Sequence, residues 1–350
     1  MNHLQRYLVE EFVEDYQEGH LSRRQALKLI AGITGATVAS QILAACGTQP
    51  ATQNPTAAPT SGAPTDAPAA TSAPAATDAP AATDAPAATS APAATSAATP
   101  APTTLPQSPD SVAPDDPAVV AQMVTFPGGD GELMGYLARP AGEGTFPIVL
   151  VCHENRGLTP HIQDVTRRLG KAGYTALAVD LLSRQGGTAS ITDYDSIPGL
   201  LSGAPPERHV GDFTAGLNYV KSQPFAKADS VGMVGFCFGG GVTWLVAAGV
   251  PEVKAAVPFY GPPVPASEIP KINAAVLAVY AERDNRINAS IPTVEEAMQQ
   301  NNKTYRKIIY PGVDHAFHND TGQRYNQEQA QAAWGETLAW FQQYLGGTAS

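Results

Sequence analysis

Along residues 119–350, short apolar runs alternate with stretches in which apolar positions recur every three or four residues. The runs predict strands at 119–126, 132–139, 147–152, 175–180, 231–235, 254–260, 274–280 and 305–310. The periodic stretches predict helices over 162–172, 210–221, 238–248, 293–301 and 326–345. Strands that are apolar throughout must be covered on both sides. The alternation therefore predicts an α/β domain with a mostly parallel central sheet, helices on both faces and sites at the carboxyl ends of the strands. The first two strands are expected to extend that sheet in antiparallel fashion. Residues 183–209, rich in Gly, Ser, Pro and acids, are expected to form a loop over the pocket.

Upstream the pattern is different. Residues 47–117 hold 15 of the 31 prolines and no Lys, Arg, Phe, Tyr or Trp. Such a segment cannot offset the entropy of ordering its backbone, so no packed domain is expected there. Five successive hexads of the form Thr-Asp/Ser-Ala-Pro-Ala-Ala run from Thr65 to Ala94. They offer no apolar face to stack as a solenoid, and a semi-extended spacer reaching roughly 200 Å is the physical reading. Its Ser, Thr and Pro content also permits O-glycosylation.

At the N-terminus, Arg23-Arg24 precede a moderately apolar run that ends in Leu43-Ala44-Ala45-Cys46. The arginine pair resembles a twin-arginine export signal, which hands over proteins that have already folded. The small residues before Cys46 resemble a bacterial lipobox, where cleavage leaves a lipid-bearing cysteine at the new N-terminus. The expected organisation is a signal peptide over 1–45, a lipidated Cys46 with a disordered Ala/Pro/Thr-rich linker over 46–118, and one globular domain over 119–350. An uncleaved anchoring helix over 26–45 is the alternative, but Thr34, Thr37, Ser40 and Gln41 make it rather polar. Residues 4–18, acidic and apolar at helical spacing, are taken as a long lead-in to the signal. Both readings hold the chain at the outer face of the cytoplasmic membrane.

The net charge of −11 reduces to −4 over 119–350, with no basic run. No nucleic-acid partner is expected. The 232 residues of that segment suffice for a single core, and a monomer is the expected state.

Chemistry concentrates in Gly235-Phe236-Cys237-Phe238-Gly239-Gly240, between a predicted strand and a predicted helix. A nucleophile held on a strand-to-helix turn needs small residues two positions before and after it, where side chains would collide. Cys237 is then either an ordinary buried cysteine in a Gly-rich turn or a thiol raised above the sheet beside a helix N-terminus. Asp284 follows the strand at 274–280, and His315 follows the strand at 305–310. Acid then histidine is the order in which this fold supplies a base and the group that orients it.

These pieces resemble the dienelactone hydrolase family of α/β-hydrolases, which uses a Cys–Asp–His triad. The similarity covers roughly residues 119–346 and includes Val151-Cys152-His153-Glu154-Asn155-Arg156-Gly157-Leu158. The resemblance implies that Glu154 contacts the resting thiol and helps ionise it. It also implies an oxyanion hole from the backbone N–H groups of Asn155 and Phe238. Substrate is expected to be a small ester or lactone, with neither metal nor organic cofactor. Family members bind a substrate carboxylate with arginines, one shortly after the histidine; this chain has none there until Arg324. Arg156 and Arg286 are the candidate substitutes. His318 is expected to be a hydrogen-bonding loop residue, and Cys152 a small core residue rather than a disulfide partner of Cys237. The competing functions are a non-catalytic surface binding lipoprotein and another enzyme on the same scaffold, such as a peptidase or dehalogenase. A halide-displacing enzyme usually carries Asp at the position of Cys237.

Overall fold

A computed structural model describes residues 1–46 and 108–346. The linker expected over 46–118 lies, from residue 47 to 107, outside the described residues. Three helices open the chain: α1 (His3–Gln17), α2 (Arg23–Thr34) and α3 (Ala36–Cys46). Then follow β1 (Val119–Gly128), β2 (Gly131–Pro140), β3 (Phe146–Cys152), α4 (Pro160–Lys171), β4 (Thr175–Asp180), α5 (Ile197–Gly203), α6 (Pro206–Lys221) and β5 (Ala226–Phe236). The remainder is α7 (Phe238–Gly249), β6 (Val253–Phe259), β7 (Ala275–Ala281), α8 (Asn285–Asn288), α9 (Ile291–Gln300), β8 (Tyr305–Tyr310) and α10 (Gln327–Leu345).

The strands form one eight-stranded sheet in the order β1-β2-β4-β3-β5-β6-β7-β8. Only the pairings of β2 with β1 and β4 are antiparallel, as expected for the first two strands. Every residue of β4 and of β7 is buried, which is why these strands read as unbroken apolar runs. At the sheet edges, β1 mixes buried with exposed positions, and β8 is half-buried or exposed up to its last residue, Tyr310, which is buried. Both cysteines in the sheet region, Cys152 and Cys237, are free. Cys152 is fully enclosed and is the small core residue expected.

The packed part of the sheet domain includes residues before 119. Buried charges hold residues 108–112 against α4: the backbone N–H of Val112 donates to Asp164 at 2.7 Å, and Arg167 Nε donates to the Val112 carbonyl at 2.7 Å. Asp320 accepts from the N–H of Ser108 and from Arg168, which also pairs with Asp164. The 183–209 segment is not a plain loop, because it forms α5 and short 3-10 turns.

The apolar run after the arginine pair breaks into two helices. Gly35, at φ 86° and ψ 154°, ends α2 in a conformation that side-chain-bearing residues avoid. Among the described residues, no helix is long and apolar enough to cross a membrane. Instead Leu4, Leu8 and Phe12 of α1 and Leu29 and Ile30 of α2 join the same buried cluster as the sheet. The apolar spacing over 4–18 is a packing face, and its target is the edge of the sheet that carries Cys237.

At the turn between β5 and α7 the positions two before and two after Cys237 leave no room for a side chain. A Cβ on Gly235 would lie 2.2 Å from the Gly239 carbonyl oxygen, and one on Gly239 2.4 Å from that of His153. Gly235→Ala is expected to cost about 3 kcal/mol, because backbone rather than a pliable side chain must move. Equilibrium urea unfolding measures this, and a cost under about 1 kcal/mol would show that the turn relaxes.

Candidate active site

Cys237 sits at the N-cap of α7 with φ 58° and ψ −120°, a region costing about 1–3 kcal/mol for a residue with a side chain. Its backbone N–H donates to the Phe259 carbonyl at 3.1 Å, which ties the turn to β6. Phe238 is the first residue of α7, where N–H groups have no partner within the helix. The N-terminal end of the helix therefore points its unpaired donors and positive partial charge at the thiol region. Two further side-chain-bearing residues with positive φ border the site, Tyr260 (35°) and Ala316 (64°). Backbone strain thus gathers at the carboxyl edge of the sheet.

Asp284 and His315 arrive from the neighbouring loops. Asp284 caps α8, its Oδ1 accepting from the N–H of Ile287 at 3.2 Å, while its Oδ2 lies 2.6 Å from His315 Nδ1. One carboxylate is thereby fixed from both sides, and the imidazole is oriented with Nε2 towards Cys237. The ligand atoms of Cys237, His315 and Glu11 all lie within 4.8 Å of one another. Burial alone would discourage charge on His315, but Asp284 and Glu11 outweigh it and hold its pKa well above the ordinary imidazole value. Burial, then Glu11, pushes the Cys237 thiol up, against the opposing pull of His315. Asp284 is buried too, which works against its ionisation, yet His315 keeps its pKa low.

The carboxylate beside the thiol is not Glu154. Glu154 is buried and its pKa raised by that burial, and its Oε2 accepts from Asn319 Nδ2. Glu11 of α1 stands there instead, with both carboxylate oxygens 3.7 Å from Cys237 Sγ. The resting contact that the resemblance implied for Glu154 is made by a residue outside the globular segment. Tyr7, one turn earlier on α1, donates its hydroxyl to Cys237 Sγ at 3.2 Å and lies 3.3 Å from His315 Nε2. Neither Tyr7 nor Glu11 was singled out in the sequence. The signal available was the four-residue spacing of Tyr7, Glu11 and Asp15, which places them on one helix face.

Asn155 reaches the site with its side chain, Nδ2 donating to Glu11 Oε1 at 3.1 Å. Arg286 is also brought there: its Nε donates to Glu14 at 3.1 Å, its Nη2 lies 3.8 Å from Glu11, and its guanidinium lies 4.5 Å from the Tyr7 ring centre. Arg156 is not; it is half-exposed and donates to the Tyr194 carbonyl at 3.0 Å, on the 183–209 segment. Arg324 instead stands near the site and pairs with Asp15. His318 differs from expectation. It is stacked on Phe236 with ring centres 5.0 Å apart, and burial drives its pKa well below the ordinary value, so it packs as a neutral aromatic ring.

Two groups among the described residues have donors spaced for a cation: Glu11, Cys237 and His315, and Asp15, Glu18 and His20. In each, an arginine already answers the carboxylate, Arg286 beside Glu11 and Arg324 beside Asp15.

A mostly parallel eight-stranded sheet, with a strained cysteine after β5 and an acid and a histidine after β7 and β8, defines an α/β-hydrolase. The chain belongs to the dienelactone hydrolase family, whose profile matches residues 133–345. It is 37% identical over 246 residues to a protein of Methylorubrum extorquens named "Putative carboxymethylenebutenolidase", across 67% of this chain and 84% of that one. A protein of the same name from Salmonella typhi is 34% identical over 261 residues, across 70% of this chain and 96% of its own. The crystal structure of a "Putative Dienelactone Hydrolase" from Klebsiella pneumoniae matches with a TM-score of 0.61 at 33% identity, covering 65% of this chain and 100% of that one. The chain is accordingly a hydrolase of the ester- and lactone-cleaving kind. Helices α1 to α3 lie outside the span matched by the family.

Glu11 disfavours the thiolate of Cys237 by charge repulsion. In Glu11→Gln, the pH at which iodoacetamide labels Cys237 at half its maximal rate is expected to fall, because the neutral amide no longer opposes ionisation. An unchanged or higher midpoint contradicts this electrostatic assignment.

Proposed function

We propose that the chain hydrolyses a small carboxylic ester or lactone through Cys237, His315 and Asp284 by way of a thioester acyl-enzyme. The observation that carries this reading is the 2.6 Å contact between His315 Nδ1 and Asp284, which orients the other imidazole nitrogen towards a thiol on a strained turn. Once substrate has displaced Glu11, His315 Nε2 takes the Sγ proton as the thiolate forms and attacks the carbonyl carbon. The oxyanion is received by the backbone N–H groups of Phe238 and Asn155. Collapse of the tetrahedral intermediate breaks the C–O bond, and the departing oxygen takes the proton held on His315. Water, activated by the same nitrogen, then attacks the thioester and restores the thiol with release of the acid.

Glu154, held by Asn319 at the edge of the site, is assigned to adjusting thiol ionisation once substrate occupies the place now taken by Glu11. Arg286 is assigned to substrate binding. Its side chain is mostly covered by Tyr7, Glu11 and Glu14, and its Nη1 and Nη2 have no hydrogen-bond partner among the described residues. A free carboxylate on the substrate would satisfy them. A purely binding protein has no use for a positioned acid, imidazole and thiol together.

Short-chain aryl esters and lactones test the assignment. Cys237→Ala is expected to abolish turnover, and Asp284→Asn to lower kcat by about 10²–10⁴-fold. Parent protein quenched during turnover should carry the acyl group on Cys237 by mass spectrometry. Turnover unchanged in Cys237→Ala would refute the nucleophile.

We further propose export as a lipoprotein. Arg23 and Arg24 are exposed on α2, and Cys46 closes α3. Labelled fatty acid should enter the parent protein in cells and not Cys46→Ala; equal labelling of both would refute the lipidation site.

A further inference from the structure

Helix α1 makes the contacts a bound substrate or product would make. Its Glu11 carboxylate lies against Cys237 Sγ, receives a hydrogen bond from Asn155, and faces both Arg286 and His315 Nε2, the latter at 4.0 Å. Its Tyr7 hydroxyl occupies the space between thiol and imidazole. Further along the same face, Glu14 meets Arg286 and Asp15 meets Arg324. The face between these polar groups is anchored by Leu4, Leu8 and Phe12, all buried.

The consequence is a closed site. Cys237 is 3% exposed and His315 7%. The gap between α1 and the loops of Asp284 and His315 holds about 10 Å³, room for no more than a single water. A polypeptide side chain ending in a carboxylate thus stands where the acid product of ester cleavage would stand. Unlike a true product, it is tethered to the chain at high effective concentration.

We infer that the N-terminal helix is a built-in competitive inhibitor, which holds down the activity of the folded precursor until residues 1–45 are removed or displaced. This rests on the hydrolase reading above for the identity of the site, but not for the closure itself. Three features support it. The closing helix lies outside the family's matched span. Three of its acids meet two arginines at the mouth of the pocket, Glu11 and Glu14 facing Arg286 and Asp15 pairing with Arg324. The arginine pair on α2 remains exposed while α1 is docked, so an export receptor can read the leader of a folded, closed protein. Removal of the leader would then strip Glu11 and Tyr7 from the thiol and leave Arg286 and Arg324 free for an anionic substrate.

The test uses the full chain and reads thiol access separately from catalysis. In Tyr7→Ala/Glu11→Lys, labelling of Cys237 by iodoacetamide, located by peptide mapping, is expected to rise at least about tenfold over the parent, and KM for an aryl ester to fall. Glu14→Arg/Asp15→Arg, on the less buried part of the same face, should act in the same direction without altering the pair that touches the thiol. Labelling that is unchanged or slower in both variants, with far-UV spectra and melts like the parent's, would overturn the inference. Faster labelling without any ester turnover would leave the closure standing and sink the hydrolase assignment. Equal labelling with turnover intact would do the reverse.

Discussion

The site depends on one constraint: a cysteine held at positive φ on a turn that admits only hydrogen two positions before and two positions after it. The turn is set by β5 below and α7 beyond, and it survives because Phe259 on β6 takes the Cys237 N–H. From that geometry the rest follows. The helix directs its free N–H groups towards the thiol, and the next two parallel strands end level with it. The loops after β7 and β8 then deliver an acid and an imidazole to the same edge. A strained residue persists only where neighbours over-determine it, and here the sheet does so.

The electrostatics are balanced rather than permissive. Burial of the thiol and the proximity of Glu11 both oppose a thiolate, while His315 and the helix end favour it. A free thiol in this environment stays protonated until something changes nearby. The structure identifies what can change, since the nearest opposing charge belongs to a helix outside the catalytic fold. Regulation by an inserted acid and control of nucleophile ionisation are then two aspects of a single contact.

Much of this was legible in the residues. The unbroken apolar character of β3, β4 and β7 predicted a covered parallel sheet because burial on both faces leaves no polar alternation. Gly235 and Gly239 around Cys237 marked the turn because steric exclusion is local. Asp284 and His315 were found because each follows a strand, and strand ends converge in this topology. Local signals also misled. Arg156, close to Glu154 in sequence, turns away to Tyr194, and His318, close to His315, packs against Phe236. Residues two or three positions apart on a loop point in different directions, so proximity in sequence carried no weight.

The amino-acid sequence by itself determined the sheet, the turn and the chain order of Cys237, Asp284 and His315, because each rests on short-range sterics or on periodic burial. Only the tertiary structure decided which carboxylate faces the thiol. Glu11 and Cys237 are 226 residues apart, and no local pattern links them. Their contact exists because an amphipathic acidic helix found an apolar edge ringed with arginines, and that complementarity is a property of two surfaces in space.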